Sequence, residues 1–145
     1  MVQGIRVAQE SYHSETQQYA SISGTLDTGA SATGHYYPLA SPNGTQVTAW
    51  GATCGSVCNA NMDWSLLPLH VDGPVMFGYE TVAGVPGPPT PTSVFVNGQT
   101  VQFPAQSATD WFIVGAGCDL DGIAATVTHV YTTSWTNQVL VDEQE

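Results

Sequence analysis

The chain has 145 residues, with 12 Asp or Glu against a single Arg and no Lys, for a formal net charge of −11. Such a surface repels nucleic acid, whose non-specific binding needs Lys and Arg to displace counterions, and it repels anionic lipid. Charged residues are only 9% of the chain, against roughly 25% in an average soluble protein, so the surface is built from Ser, Thr, Asn, Gln and Gly. A hydrophobic fraction of 42% excludes wholesale disorder, and the length suits one domain with a core of its own.

The first element is helical. Val2, Ile5, Ala8 (or Gln9), Tyr12 and Tyr19 recur at helical spacing, while Arg6, Glu10 and Glu15 occupy the intervening positions. Arg6 and Glu10 are four apart and can pair across one turn. No capping residue precedes Val2, so the stretch reads as the later part of a longer helix, with its end expected between Ser21 and Gly24. Residues 24–46 are rich in Gly, Ser, Thr and Pro and read as loop. VTAW (47–50) reads as a short strand, and residues 51–63 as loop again.

Beyond Trp64 the pattern turns to β. PVMFGYETVAG (74–84) alternates and carries Val, Phe, Tyr and Thr. VPGPPTPTS (85–93) is a proline-rich connection that cannot be a strand centre or a helix. In SVFVNGQTVQF (93–103), Asn97-Gly98 between two apolar runs predicts a two-residue hairpin turn with positive φ at both positions. DWFIVGAGC (110–118), ATVTHVYTTS (125–134) and NQVLVD (137–142) complete the strands. One helix followed by antiparallel strands gives an α+β class: an N-terminal amphipathic α-helix packed on an antiparallel β-sheet. The single domain, 1–145, divides into the helix (1–22), a loop-rich connecting region (23–73) and the sheet region (74–145).

Chemistry-bearing motifs are sparse. Cys54 and Cys58 are close enough in sequence to bridge a small loop; with Cys118 they are otherwise three free thiols, and C-x3-C without well-spaced His is a poor zinc pattern. His13, His35, His70 and His129 fall in no metal-binding or nucleophile-activating motif; His13 sits on the polar side of the helix, and His129 in an alternating strand can face either way. Asp119-Leu120-Asp121-Gly122 reads either as the start of a calcium loop or as a tight acidic turn; Ile123 and Ala124 follow where ligands would be needed. Asn43-Gly44-Thr45 is both an N-glycosylation triplet and a turn sequence. No catalytic residue, metal site or cofactor site is expected. No run of about 18 apolar residues is present, so no membrane insertion by this chain is expected either.

The order of the pieces carries a resemblance. AQESYHSETQQY late in the first helix is followed by HYYP, then WSLLPLHVDGPVMFGYETVAG, DWFIVGAGCDLDG and SWTNQVLVDEQE. Over roughly residues 2–84 and 110–145 this resembles the soluble part of type IV pilins and type IV pilin-like proteins (pseudopilins). The hairpin at Asn97-Gly98 with its proline-rich lead looks like an insertion, and the family's C-terminal disulfide has only Cys118 in its region. The resemblance implies an apolar membrane helix upstream of Met1, removed here, and a packing face of Val2, Ile5, Ala8 and Tyr12 turned to the sheet, with Arg6, Glu10 and Glu15 facing solvent or neighbouring subunits. It implies a structural, non-enzymatic subunit of a cell-surface pilus filament, anchored in the inner membrane before assembly. The partners would be other copies or related pilins and the inner-membrane assembly machinery, with no nucleic acid. The competing class is a secreted β-rich module binding carbohydrate or protein through exposed aromatics, for which Trp50, Trp64, Trp111 and Trp135, with six Tyr, are candidates.

Overall fold

A computed structural model describes residues 1–29, 35–38, 44, 46–51, 63–121 and 127–142. Cys54, Cys58, Asn43, Thr45 and residues 122–125 lie outside this set, so the small-loop disulfide, the glycosylation triplet and the second half of the DLDG loop are not described. The described residues form one helix, α1 (Val2–Thr16), a 3-10 turn (Trp64–Leu66), and six strands: β1 (Gly78–Gly84), β2 (Ser93–Val96), β3 (Gln99–Gln102), β4 (Trp111–Cys118), β5 (Thr128–Thr133) and β6 (Thr136–Asp142). β1, β4, β5 and β6 make an antiparallel four-stranded sheet in the order β1-β4-β5-β6, and β2-β3 is a separate hairpin. The architecture is α+β, as the helix-then-strands order predicts.

The central strand β4 is buried along its whole length. Its alternation divides the core in two. Phe112, Val114 and Ala116 meet Ile5 and Ala8 of α1 together with Tyr37, Trp64 and Tyr79. Trp111 and Ile113 point to the other face, where Val94 and Val96 of the hairpin pack with Leu26, Val82 and Tyr131. Each such apolar side chain taken from water contributes about 1.5–3 kcal/mol. The helix therefore covers one face of the sheet, and the hairpin with residues 22–29 covers the other.

Three local expectations need correcting. The helix stops at Thr16 and not near Ser21, with Gln17 in the left-handed region (φ 60, ψ 22). The reason is a competing set of bonds. Gln9, fully buried, takes both backbone groups of Ala20, and Tyr19 folds back to stack on His13 and meet Phe112 edge-on. Residues 47–50 make only a single bridge, Thr48 to Val75, because no further neighbour pairs with them among the described residues. The strand expected from Pro74 starts at Gly78.

A fourth correction concerns Arg6, which does not simply face solvent. Its guanidinium crosses to the β5-β6 turn and donates to Thr132 Oγ1 (3.3 Å), the Thr133 carbonyl (3.0 Å), the Thr136 carbonyl (2.6 Å) and Asn137 Oδ1 (2.7 Å). A bulge at Thr132/Thr133 leaves carbonyls there for the guanidinium to collect. Glu10 instead accepts from the Tyr19 hydroxyl at 3.1 Å. The hairpin turn is as predicted, with φ 49 at Asn97 and 74 at Gly98. It is tied to β6 by the Asn97 N–H on Asp142 Oδ1 and by Asn97 Nδ2 on the Val141 carbonyl.

Candidate functional site

Titratable groups gather on the hairpin side of the sheet, around Asp27. Glu80 of β1 and His129 and Tyr131 of β5 point to this face by strand alternation, and Asp27 and Tyr36 come down on them from the preceding segment. Asp27 is 3% exposed, Glu80 0% and His129 5%.

Asp27 is the hub. Its N–H donates to Glu80 Oε1 (2.8 Å), and its carbonyl accepts from the Tyr131 hydroxyl (2.8 Å). Its carboxylate accepts from the Gly29 N–H (2.9 Å) and the Tyr36 hydroxyl (2.9 Å), and Oδ2 lies 3.3 Å from His129 Nε2. The His129 ring lies parallel to Tyr131, 5.8 Å between centroids. Burial alone would raise the Asp27 carboxyl, but the His129 imidazole, the Gly29 N–H and the Tyr36 hydroxyl outweigh it and hold it below the usual carboxylate value.

Glu80 has the opposite environment. Burial pushes its carboxyl well above the usual range, the Asp27 N–H offsets this only in part, and the Asp27 charge adds to the rise. Its Oε2 has no hydrogen-bond partner, nor has His129 Nδ1. Burial and the two carboxylates also push the Tyr36 and Tyr131 hydroxyls far up, so both stay protonated donors.

Two glycines of β4 make the room. A Cβ on Gly115, which pairs with Glu80 in the sheet register, would lie 2.7 Å from Glu80 Oε1. A Cβ on Gly117 would lie 2.5 Å from the Tyr36 hydroxyl oxygen. Gly29 (φ +77) turns the chain where a Cβ would meet the Phe95 carbonyl at 2.7 Å.

The arrangement attaches the segment around Asp27 to the sheet. Grooves at the surface are lined by other residues: one of about 420 Å³ by Thr28, Pro91, Ser93 and Phe95 among others, one of about 350 Å³ beside Trp50 and His70, and one of about 250 Å³ beside Met1, Phe77 and Val139. No three His, Cys, Asp or Glu side chains among the described residues converge as a metal site requires.

The histidines go to different partners. His13 stacks on Tyr19 and lies 3.8 Å from Asp110, His35 Nδ1 is 2.9 Å from the Ser23 carbonyl, and His70 pairs with Asp72 at the surface. His129 faces the cluster, which resolves the choice its strand pattern left open. Cys118 is a buried free thiol. Asp119 is buried and Asp121 exposed. Of the helix residues predicted to face the sheet, Ile5 and Ala8 are buried in the core, and Val2 and Tyr12 pack against it half-buried.

Sequence reasoning passed over Asp27 and Glu80. The available signal was the G-A-G spacing in β4: glycines inside a strand mark a close approach of something bulky, here the side chains of Glu80 and Tyr36. Comparison with protein-family models, with curated proteins and with solved structures gives no significant match to this chain.

Proposed function

We propose that this domain is the globular part of a filament subunit of the type IV pilin-like kind, carried by an apolar helical segment joined ahead of α1. The observation that supports it is the packing of the N-terminal amphipathic helix. Ile5 and Ala8 are sealed against a four-stranded antiparallel sheet, while Val7, an apolar residue 67% exposed, stands on the outer side with Gln3, Gly4 and Ser11. An outer helix face that sets Val7 and small polar side chains beside the exposed acids Glu10 and Glu15 offers a surface for neighbouring copies in a heterologous, non-closing assembly. Four acids of the described set, Asp27, Glu80, Asp119 and Asp142, are buried. The surface that a neighbour meets is therefore less charged than the composition suggests, and repulsion between copies falls further with salt.

The burial of the tryptophans favours the filament reading over a carbohydrate-binding one. Trp64 and Trp111 are buried, and Trp50 and Trp135 pack against the two cores. The test is mass spectrometry of the native protein's N-terminus in a sheared cell-surface fraction. The filament reading expects a mature chain that starts before Met1 with an apolar run and an N-methylated first residue. A native chain that starts at Met1, or follows an ordinary secretory signal, sinks it.

A further inference from the structure

Residues 22–29 and 35–38 lie as a strap along the β1 edge of the sheet, with Ile22 and Tyr37 reaching the helix-side core and Leu26, Asp27 and Tyr36 lying over the hairpin-side face. At the edge, the Ile22 and Ser23 N–H groups both donate to the Thr81 carbonyl (3.1 and 2.9 Å), and Tyr37 and Tyr79 exchange both backbone bonds (2.8 and 2.7 Å). The strap thus takes the place of a strand beside β1. Over the face it is held by Asp27, through Glu80, Tyr131 and His129.

We propose that the strap is a pH-gated cover: it is docked on the sheet while Glu80 keeps its proton, and it lifts from β1 when Glu80 gives that proton to solvent. The geometry carries this. Glu80 is wedged between the strap and Gly115, fully buried, with one hydrogen bond to one oxygen and none to the other. Asp27 is bonded to it, Tyr36 from the strap and Tyr131 from β5 lie close enough to feel its charge, and His129 of β5 reaches the cluster through Asp27; Asp142, on β6 at the far edge of the sheet, bears on Tyr131 instead. β4 presents glycines to the cluster, and the hairpin presents Val94 and Val96. Of the histidines here, His129 contacts Asp27, and His35, on the strap itself, lies against the Ser23 carbonyl and the Thr25 hydroxyl. Arg6, the only Arg in the chain, is bound to the β5-β6 turn on the helix side. An ionised Glu80 would therefore be a sealed carboxylate beside a second carboxylate, a state that costs far more than hydrating it.

Lifting the strap brings water to Glu80, since the other side of β1 is closed by Gln9 and the helix core. It also exposes the β1 edge, a backbone template that the docked strap keeps occupied. The sign follows from linkage. An acid whose carboxyl is raised in the docked state binds a proton there that it lacks when released, so docking weakens as pH rises above the ordinary Glu value. Asp27, held low, supports docking until pH falls below the ordinary Asp value.

The test is residue-resolved amide hydrogen exchange on the wild-type chain from about pH 5 to about pH 8.5, corrected for the intrinsic base-catalysed rate. Protection at Ile22, Ser23, Asp27 and Tyr37 is expected to fall by about tenfold or more, the size of one pH unit of linkage, while Ile113 and Val114 in β4 hold theirs. In the Glu80→Gln variant, whose amide oxygen can still accept the Asp27 N–H, the strap's fall is expected to vanish. Constant protection of the strap in the wild type overturns the proposal without any variant. So does loss at the strap and β4 in step, which is global unfolding, or an unchanged pH dependence in Glu80→Gln.

Discussion

The side-chain amide of Gln9 and the backbone of Ala20 exchange two hydrogen bonds, Nε2 to the Ala20 carbonyl at 2.7 Å and the Ala20 N–H to Oε1 at 2.9 Å. A side chain here acts as a strand neighbour would, and a third bond, Nε2 to Thr81 Oγ1 at 2.9 Å, ties the pair to β1. Helix, returning chain and sheet meet in one fully buried amide. Gln9→Leu fills nearly the same space but leaves the Ala20 N–H and carbonyl buried without partners. The expected loss is on the order of 3 kcal/mol, read as a lower denaturant midpoint with an unchanged slope.

Arg6 makes the corresponding link at the opposite end of the sheet. All four of its acceptors are neutral oxygens, two of them the Thr133 and Thr136 carbonyls, so its role is to gather the bulged β5-β6 turn. Arg6→Met keeps the stem and removes the fork. Hydrogen bonds to a charged group are worth about 1.5–3 kcal/mol, and the site is only part-buried, so an overall loss of about 2 kcal/mol is expected by chemical denaturation. Arg6→Lys supplies one point donor where a planar fork reaches four oxygens. It should recover only part of the loss, and full recovery would show that charge, not geometry, holds the turn.

How far the sequence revealed this follows from which interactions are local. The Asn97-Gly98 turn was legible because the type of turn is set by the two residues in it. The sheet-facing positions of α1 were legible from spacing, since Ile5 and Ala8 are apolar and recur on one face. The fate of Arg6 was not, because its partners lie about 130 positions away and only the fold brings them near. The end of α1 was missed for the same reason: Gln9, a good helix former, captures Ala20 by a tertiary contact that propensity does not register. The buried cluster was hidden twice over. Asp27 lies in a stretch that reads as loop, and Glu80 sits in a strand whose alternation puts an acid at an inward position. Local pattern argues against burying an acid, and only the glycines across from it in β4 signalled the space.

Those glycines can be tested against one with no such duty. Gly117→Ala places a methyl 2.5 Å from the Tyr36 hydroxyl oxygen and 2.8 Å from its ring carbon. The ring cannot move away without breaking the Tyr36 bond to Asp27, so a loss of about 1–3 kcal/mol is expected. Gly4, in the exposed outer face of α1, has nothing within 4 Å of a built Cβ. Gly4→Ala is expected to stabilise the fold by about 0.5–1 kcal/mol. Equal effects of the two substitutions on the urea midpoint would contradict the packing described for the strap.

The acid limb of stability belongs to Asp27. Its carboxyl is held below the ordinary value by His129, the Gly29 N–H and the Tyr36 hydroxyl against the opposing pull of burial. A group depressed in the folded state contributes stability that is present above its unfolded pKa, near 3.8, and is lost as pH falls through the folded value. Asp27→Asn cannot titrate. It keeps the backbone bonds to Glu80 and Tyr131 but turns the charged contact with His129 into a neutral one. At neutral pH the variant should be less stable by about 1–3 kcal/mol, the scale of a buried charge-assisted bond lost. As pH falls below about 4 the wild type gives up that advantage and the two denaturation curves should converge. Curves that stay parallel down to pH values well below that point would mean that Asp27 carries no depressed charge in the fold, and that its hydrogen bonds alone hold residues 22–29 in place.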